Sequence, residues 1–207
     1  MTNLVLARHG ETVWHAENRY AGLSDIELTP RGHDQAGQLA AWAGRAGLTA
    51  VWASTLSRAR ITAAASARAA GVEPRADARL REIDFGQGDG LTAAEMRERF
   101  PEARAAFEAD PAAHPLPGGE DPELVADRFT ECLRDVAAAH PGGRVLVVAH
   151  TTAIRIALCR LIGVPIGEYR RLFPSLDNCA VTEIRARDGA HSAVAILRYN
   201  SPIGALR

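Results

Sequence analysis

The sequence predicts an α/β fold: a three-layer sandwich with a mostly parallel central sheet of about six strands flanked by helices. Two observations carry this. Short apolar runs rich in β-formers alternate with helical patterns along the chain, the signature of a layered α/β domain. Two of those runs end abruptly on His, at Arg8-His9-Gly10-Glu11 and at Ala149-His150-Thr151-Thr152. In open α/β sheets, ligands sit at the carboxyl edge of the strands. The 207 residues suffice for one domain with a real core. No linker is visible, so residues 1–207 are read as a single domain.

The strands are expected at Leu4–Ala7, Ala50–Ser54, Val145–His150, Ala180–Ile184 and Ala193–Tyr199. The first helix opens at Thr29-Pro30-Arg31, with Thr as cap and Pro in the first turn, and runs to about Gly47. The second runs from about Leu56 to Ala70 and stops at Gly71. The third covers Pro122 to Ala139, before Pro141-Gly142-Gly143. The fourth runs from Thr152 to Ile162, followed by Gly163 and Pro165. The last two strands flank a short turn, Arg187-Asp188-Gly189-Ala190, and are expected to form an edge hairpin. Between Gly86 and Pro117 the pattern breaks into Gly, Pro and charges around short helices near Ala93–Phe100 and Ala103–Ala109. Such long connections often become lids or substrate walls, so a small helical excursion over the site is expected.

Composition narrows the function. The net charge is −1, so no global field draws nucleic acid or a membrane surface. No apolar stretch reaches the ~18 residues of a membrane span. The N-terminus lacks a charged region followed by a cleavable apolar segment, and cytoplasm is the default. Cys132, Cys159 and Cys179 form no C-x-x-C pair and are expected to be reduced, buried thiols.

Several stretches can carry chemistry. Arg8 can hold phosphate oxygens bidentately, and the His9 imidazole is a potential covalent nucleophile. Ser54-Thr55-Leu56-Ser57-Arg58-Ala59 places Arg58 at a helix start, where an anion is welcome. Leu80-Arg81-Glu82-Ile83-Asp84-Phe85-Gly86 puts acids at an expected strand end, and such an acid can protonate a leaving oxygen. The helix opening after His150 offers amides to an anion. Pro117-Gly118-Gly119-Glu120-Asp121 reads as a turn with an acidic helix cap. Taken singly, each has an ordinary structural reading.

Taken together and in this order, these motifs resemble the histidine phosphatase superfamily, which includes cofactor-dependent phosphoglycerate mutases and many small phosphatases. The likeness spans Leu4 to about Asn200 and includes Arg19-Tyr20-Ala21-Gly22-Leu23-Ser24-Asp25 and Leu28-Thr29-Pro30-Arg31-Gly32. The resemblance implies that His9 is transiently phosphorylated and that Arg8, Arg58 and His150 clamp the phosphoryl oxygens. It implies that Glu82 is the proton donor and then the base for water. Thr151, His15 and Gly22 join the phosphate or substrate contacts. No metal and no cofactor are implied, and the partner is a small phosphate ester.

The chain departs from the family in four places. His15 stands where an Asn often contacts phosphate, and is expected to replace it as a donor. Thr151 stands where Gly is usual. Gln87-Gly88-Asp89 replaces a bulkier stretch, and Asp121 replaces a Ser. The excursion is short and holds Arg97, Arg99 and Arg104 as its cations. A mutase must shield its phosphoenzyme from water, which a short cover does poorly. The implied activity is therefore a metal-independent phosphomonoesterase. The alternatives are a phosphoglycerate mutase and an inactive phosphate-binding or scaffold member. The tail Arg198–Arg207 could cover the site or join a homodimer contact.

Overall fold

In the computed structural model, residues 1–186 and 194–205 are described. Six strands form one sheet in the order β3-β2-β4-β1-β5-β6: β1 Thr2–Arg8, β2 Ala50–Ser54, β3 Pro74–Asp77, β4 Arg144–Ala149, β5 Val181–Ala186 and β6 Ala195–Ser201. Pairings among β1, β2, β3 and β4 are parallel, whereas β5 and β6 are antiparallel to their neighbours. The sheet is the mostly parallel one expected. The expected turn at 187–190 and the first residue of the expected last strand lie outside the described residues. The β5–β6 pair flanking them is antiparallel.

The helices are α1 Pro30–Ala43, α2 Ser57–Ala70, α3 Ala93–Arg99, α4 Pro101–Ala109, α5 Pro122–Ala139, α6 Thr151–Ile162 and α7 Tyr169–Leu172. Local chemistry sets their ends. Thr29 caps α1 by accepting from the Gly32 amide at 3.0 Å. Gly71 and Gly163 close α2 and α6 in the left-handed region, at φ 69° and 73°. α1 stops before the expected Gly47, and residues 44–47 form a turn instead.

Side-chain alternation along the central strands splits the core in two. Leu4, Leu6, Val145 and Val147 pack with Phe129 and Leu133 of α5 and Ile154 and Leu158 of α6. Val5, Ala7, Leu146 and Val148 pack on the opposite face with Leu39 and Trp42 of α1 and Ala59 and Ala63 of α2. This is the three-layer arrangement. The 86–117 excursion contributes Met96, Phe107 and Leu116 to the first core, so it is anchored rather than draped. Among the described residues no helix is long and apolar enough to cross a membrane.

Two expectations need correction. β3 was not foreseen, because Pro74-Arg75-Ala76-Asp77 has an exposed, charged face and no apolar run. Glu82 was expected at a strand end. It lies instead beyond a short 3-10 turn, Ala78–Leu80, in irregular chain.

Candidate active site

β1 and β4 are parallel neighbours in register, with Arg8 opposite Ala149. The next residue on each strand is therefore His9 or His150, and their ring centroids lie 5.1 Å apart. The His9 amide donates to Ala149 O at 3.1 Å, tying the two strand ends together. Both rings are buried.

His9 is held in one tautomer. Its Nδ1 lies 2.7 Å from Gly10 O; a carbonyl can only accept, so Nδ1 carries the proton and Nε2 keeps a free lone pair. Asn178 fixes the backbone behind it by donating to His9 O at 2.8 Å. Burial first, then Arg58 and Arg8, push the His9 pKa well below the usual imidazole range. The ring is neutral, the state in which an imidazole nitrogen has a lone pair to offer.

Gly10 and Gly32 explain why two motifs distant in sequence come together. A Cβ on Gly32 would lie 2.1 Å from Glu11 O, and one on Gly10 would lie 2.4 Å from Gly32 O. Only glycine permits this backbone crossing. Glu11 accepts from Thr29 Oγ1 at 2.9 Å and braces the start of α1.

The two guanidiniums are positioned by carbonyls rather than carboxylates. Arg58 is fully buried at the start of α2. It donates to Ser24 O at 2.7 Å and Gly22 O at 2.8 Å. Arg8 donates to Leu176 O at 2.9 Å. Burial lowers the pKa of both, Arg8 to about 10, yet both stay charged at neutral pH. Their Nε atoms are buried without a partner. So are both ring nitrogens of His150, whose pKa is driven down chiefly by burial, then by Arg58. His150 was expected to clamp the phosphoryl oxygens beside Arg8 and Arg58. Its ring is neutral, because burial and then the adjoining guanidiniums disfavour the charged form.

Glu82 meets the start of α6. One carboxylate oxygen accepts from the amides of Ile83 at 3.0 Å and Ala153 at 2.8 Å; the other accepts from Thr152 at 3.0 Å. The α6 amides expected to await an anion are thus largely occupied by Glu82. Thr151, at the first helical position, remains on the cleft. Burial raises the Glu82 pKa against the opposing pull of those three amides, which favours the protonated, acid form.

Three expectations change in detail. His15 was to donate to phosphate. Its Nε2 lies 2.6 Å from Arg8 Nη2, and because a guanidinium only donates, Nε2 accepts. Nδ1 faces the Thr12 turn, where the Thr12 amide approaches it at 3.0 Å and Thr12 Oγ1 at 2.9 Å. Burial and Arg8 lower its pKa to about 4. Here His15 orients Arg8. Gly22 has no spare backbone donor: its amide donates to Asp89 at 2.8 Å and its carbonyl accepts from Arg58. Asp89, expected only as part of a thinner wall, also accepts from Ser24, and so fixes the loop that fixes Arg58.

Sequence reasoning missed further groups. Arg128 on α5 donates to the carbonyls of Arg79, Arg81 and Glu82 and pairs with Glu120 at 2.7 Å. It moors the irregular chain that presents Glu82. The cleft, about 520 Å³, is also lined by Tyr20, Arg155, Tyr169 and Arg170. Of the excursion cations, Arg104 is buried and bound to Tyr20 and Glu108, and Arg97 also pairs with Glu108. Among the described residues no cluster of three or more His, Cys, Asp or Glu could hold a metal ion. The cysteines are buried and free.

Comparison with known proteins places the chain in a family. The chain is 34% identical over 169 residues to phosphoserine phosphatase 1 of Hydrogenobacter thermophilus, covering 82% of this chain and 80% of that one. It is 35% identical over 189 residues to a probable phosphoglycerate mutase, GpmB, of Salmonella paratyphi B, covering 89% and 85%. Among solved structures, a mycobacterial glucosyl-3-phosphoglycerate phosphatase superposes with TM-score 0.87 at 29% identity, covering 96% of this chain and 99% of that one. The sequence profile of the Histidine phosphatase superfamily (branch 1) matches residues 4–199, nearly the whole chain. The chain belongs to the histidine phosphatase superfamily.

Proposed function

We propose that this protein is a phosphatase of its superfamily, a phosphomonoesterase that acts on small phosphorylated metabolites without a metal. The observation that carries the reading is the His9 tautomer: a buried, neutral imidazole with Nδ1 bound to Gly10 O and Nε2 free beside His150.

In the first step the His9 Nε2 lone pair forms a bond to phosphorus as the P–O bond to the alcohol breaks. Glu82, in its acid form, gives its proton to the departing oxygen. In the second step the Glu82 carboxylate takes a proton from water, the water oxygen bonds to phosphorus and the P–N bond breaks. Inorganic phosphate leaves, and His9 and Glu82 are restored. Phosphoryl transfer asks mainly for alignment and positive charge around the equatorial oxygens. Arg8 and Arg58 supply that charge, and His150 can add to it by taking up a proton when the anion arrives.

The named relatives support a phosphate-ester substrate, and they include a probable mutase. The assay therefore has two arms. Phosphate release from p-nitrophenyl phosphate should persist in EDTA. Conversion of 3-phosphoglycerate to its 2-isomer, stimulated by the bisphosphate, would instead establish the mutase. Neither activity, with retained anion binding, would leave a binding protein.

A further inference from the structure

A buried guanidinium without a counter-ion is expensive. Four arginines at or beside this cleft, Arg58 and Arg155 buried and Arg8 and Arg170 partly buried, form no ion pair among the described residues. Arg8 and Arg58 are accounted for by one phosphoryl group. Arg155 and Arg170 are not.

Arg155 is one helical turn beyond Thr151, on the same face of α6, and is 9% exposed. Its Nε is buried with no partner. Its one hydrogen bond is a long one, 3.4 Å from Nη2 to Arg170 O. Its guanidinium sits 5.1 Å over the Tyr169 ring. Arg170, half-buried on α7, donates through Nε to Tyr169 OH at 3.0 Å and stacks 4.6 Å over Phe107. Among the described residues neither forms an ion pair. Nearby arginines differ: Arg19 pairs with Glu17 and Glu95, each at 2.8 Å, and Arg104 pairs with Glu108 at 2.9 Å. The protein pairs Arg19 and Arg104 with carboxylates and leaves Arg155 and Arg170, held by aromatic rings, on the cleft wall.

We propose that Arg155 and Arg170 form a second anion subsite, so that the alcohol part of the substrate carries its own negative group, a carboxylate or a second phosphoryl. This rests on the phosphatase reading above and narrows its substrate class. The planar guanidinium fork suits either group.

Three esters of matched size test it. Glycerol 3-phosphate has a neutral tail, 3-phosphoglycerate a carboxylate, and propane-1,3-diyl bisphosphate a phosphate. The native protein should favour at least one anionic-tailed ester in kcat/KM over glycerol 3-phosphate by roughly 10- to 100-fold, the worth of a hydrogen bond to a charged group. Which ester is preferred identifies the tail. In Arg155→Met and Arg170→Met that ratio should collapse toward one. A native ratio near one, or a ratio both variants keep, overturns the subsite. The native ratio needs no variant to fold. If no ester is hydrolysed, p-nitrophenyl phosphate included, the phosphatase reading fails separately. Titration calorimetry with the native protein then decides the subsite, and equal Kd for 3-phosphoglycerate and glycerol 3-phosphate overturns it.

Discussion

The ends of β1 and β4 are neighbours in one sheet, and each delivers a buried imidazole, yet the two are wired differently. His9 has Nδ1 committed to Gly10 O, which fixes the tautomer and exposes one reactive lone pair. Both His150 nitrogens are without partners. The first ring is oriented by the protein itself; on the proposed mechanism the second would be completed by the ligand. A buried unsatisfied polar group costs about 1–3 kcal/mol, an instability at the β4 end that a bound anion would relieve. In that reading, nucleophile and receptor for the transferred group are divided between two strands of the same design.

The sharpest break of this contrast is His9→Ala. It should lower kcat roughly 10⁴-fold or more and abolish the acid-labile, base-stable phosphoprotein seen in rapid quench. A phosphoprotein that survives the change would place the nucleophile elsewhere. Glu82→Gln comes next, with about 10²- to 10⁴-fold loss on alkyl esters and a smaller loss on the activated nitrophenyl ester; equal losses would remove it as the acid. His150→Ala should cost about 10²-fold in kcat/KM while still forming phosphoenzyme. In the native protein, the proposed proton uptake by His150 predicts that phosphate binding tightens as pH falls from 8 to 6. A pH slope unchanged in His150→Ala would give that proton to another group.

The smallest effect is on stability. Burial depresses His9, His150 and His15 in the folded state. Below the ordinary imidazole pKa of 6.5, the unfolded chain therefore binds protons that the folded chain refuses. Glu82, whose pKa burial raises, works the other way, one group against three. Tm should fall as pH drops from 7 to 5, and phosphate should restore part of the loss. A Tm that rises over this interval would contradict the neutral assignment of the buried rings.

Much of this was legible in the sequence because its signals are local. Thr29-Pro30, Gly71, Asp121-Pro122 and Gly163 mark helix ends by their own backbone preferences, and α2, α5 and α6 fall within a residue of expectation. His9 and His150 were visible because each follows an uninterrupted apolar strand. The remainder depends on tertiary placement. Arg128, Arg155 and Arg170 sit at ordinary helical spacing, and nothing in the sequence separates them from solvated arginines. Glu82 was identified as an acid, but the helix start it would meet could not be read 70 residues away. His15 was recognised as unusual, while its acceptor role follows only from the position of Arg8.

The contact between Glu82 and α6 has a consequence for timing. On the proposed mechanism, a bound phosphate ester brings negative charge into the cleft that Glu82 lines, so its arrival would discourage ionisation of Glu82 and keep its proton loaded. As negative charge built on the departing alkoxide, that oxygen would draw the proton away, and the amides of Thr152, Ile83 and Ala153 are placed to stabilise the new carboxylate. The substrate's own charge would then cock the acid, and bond cleavage would release it.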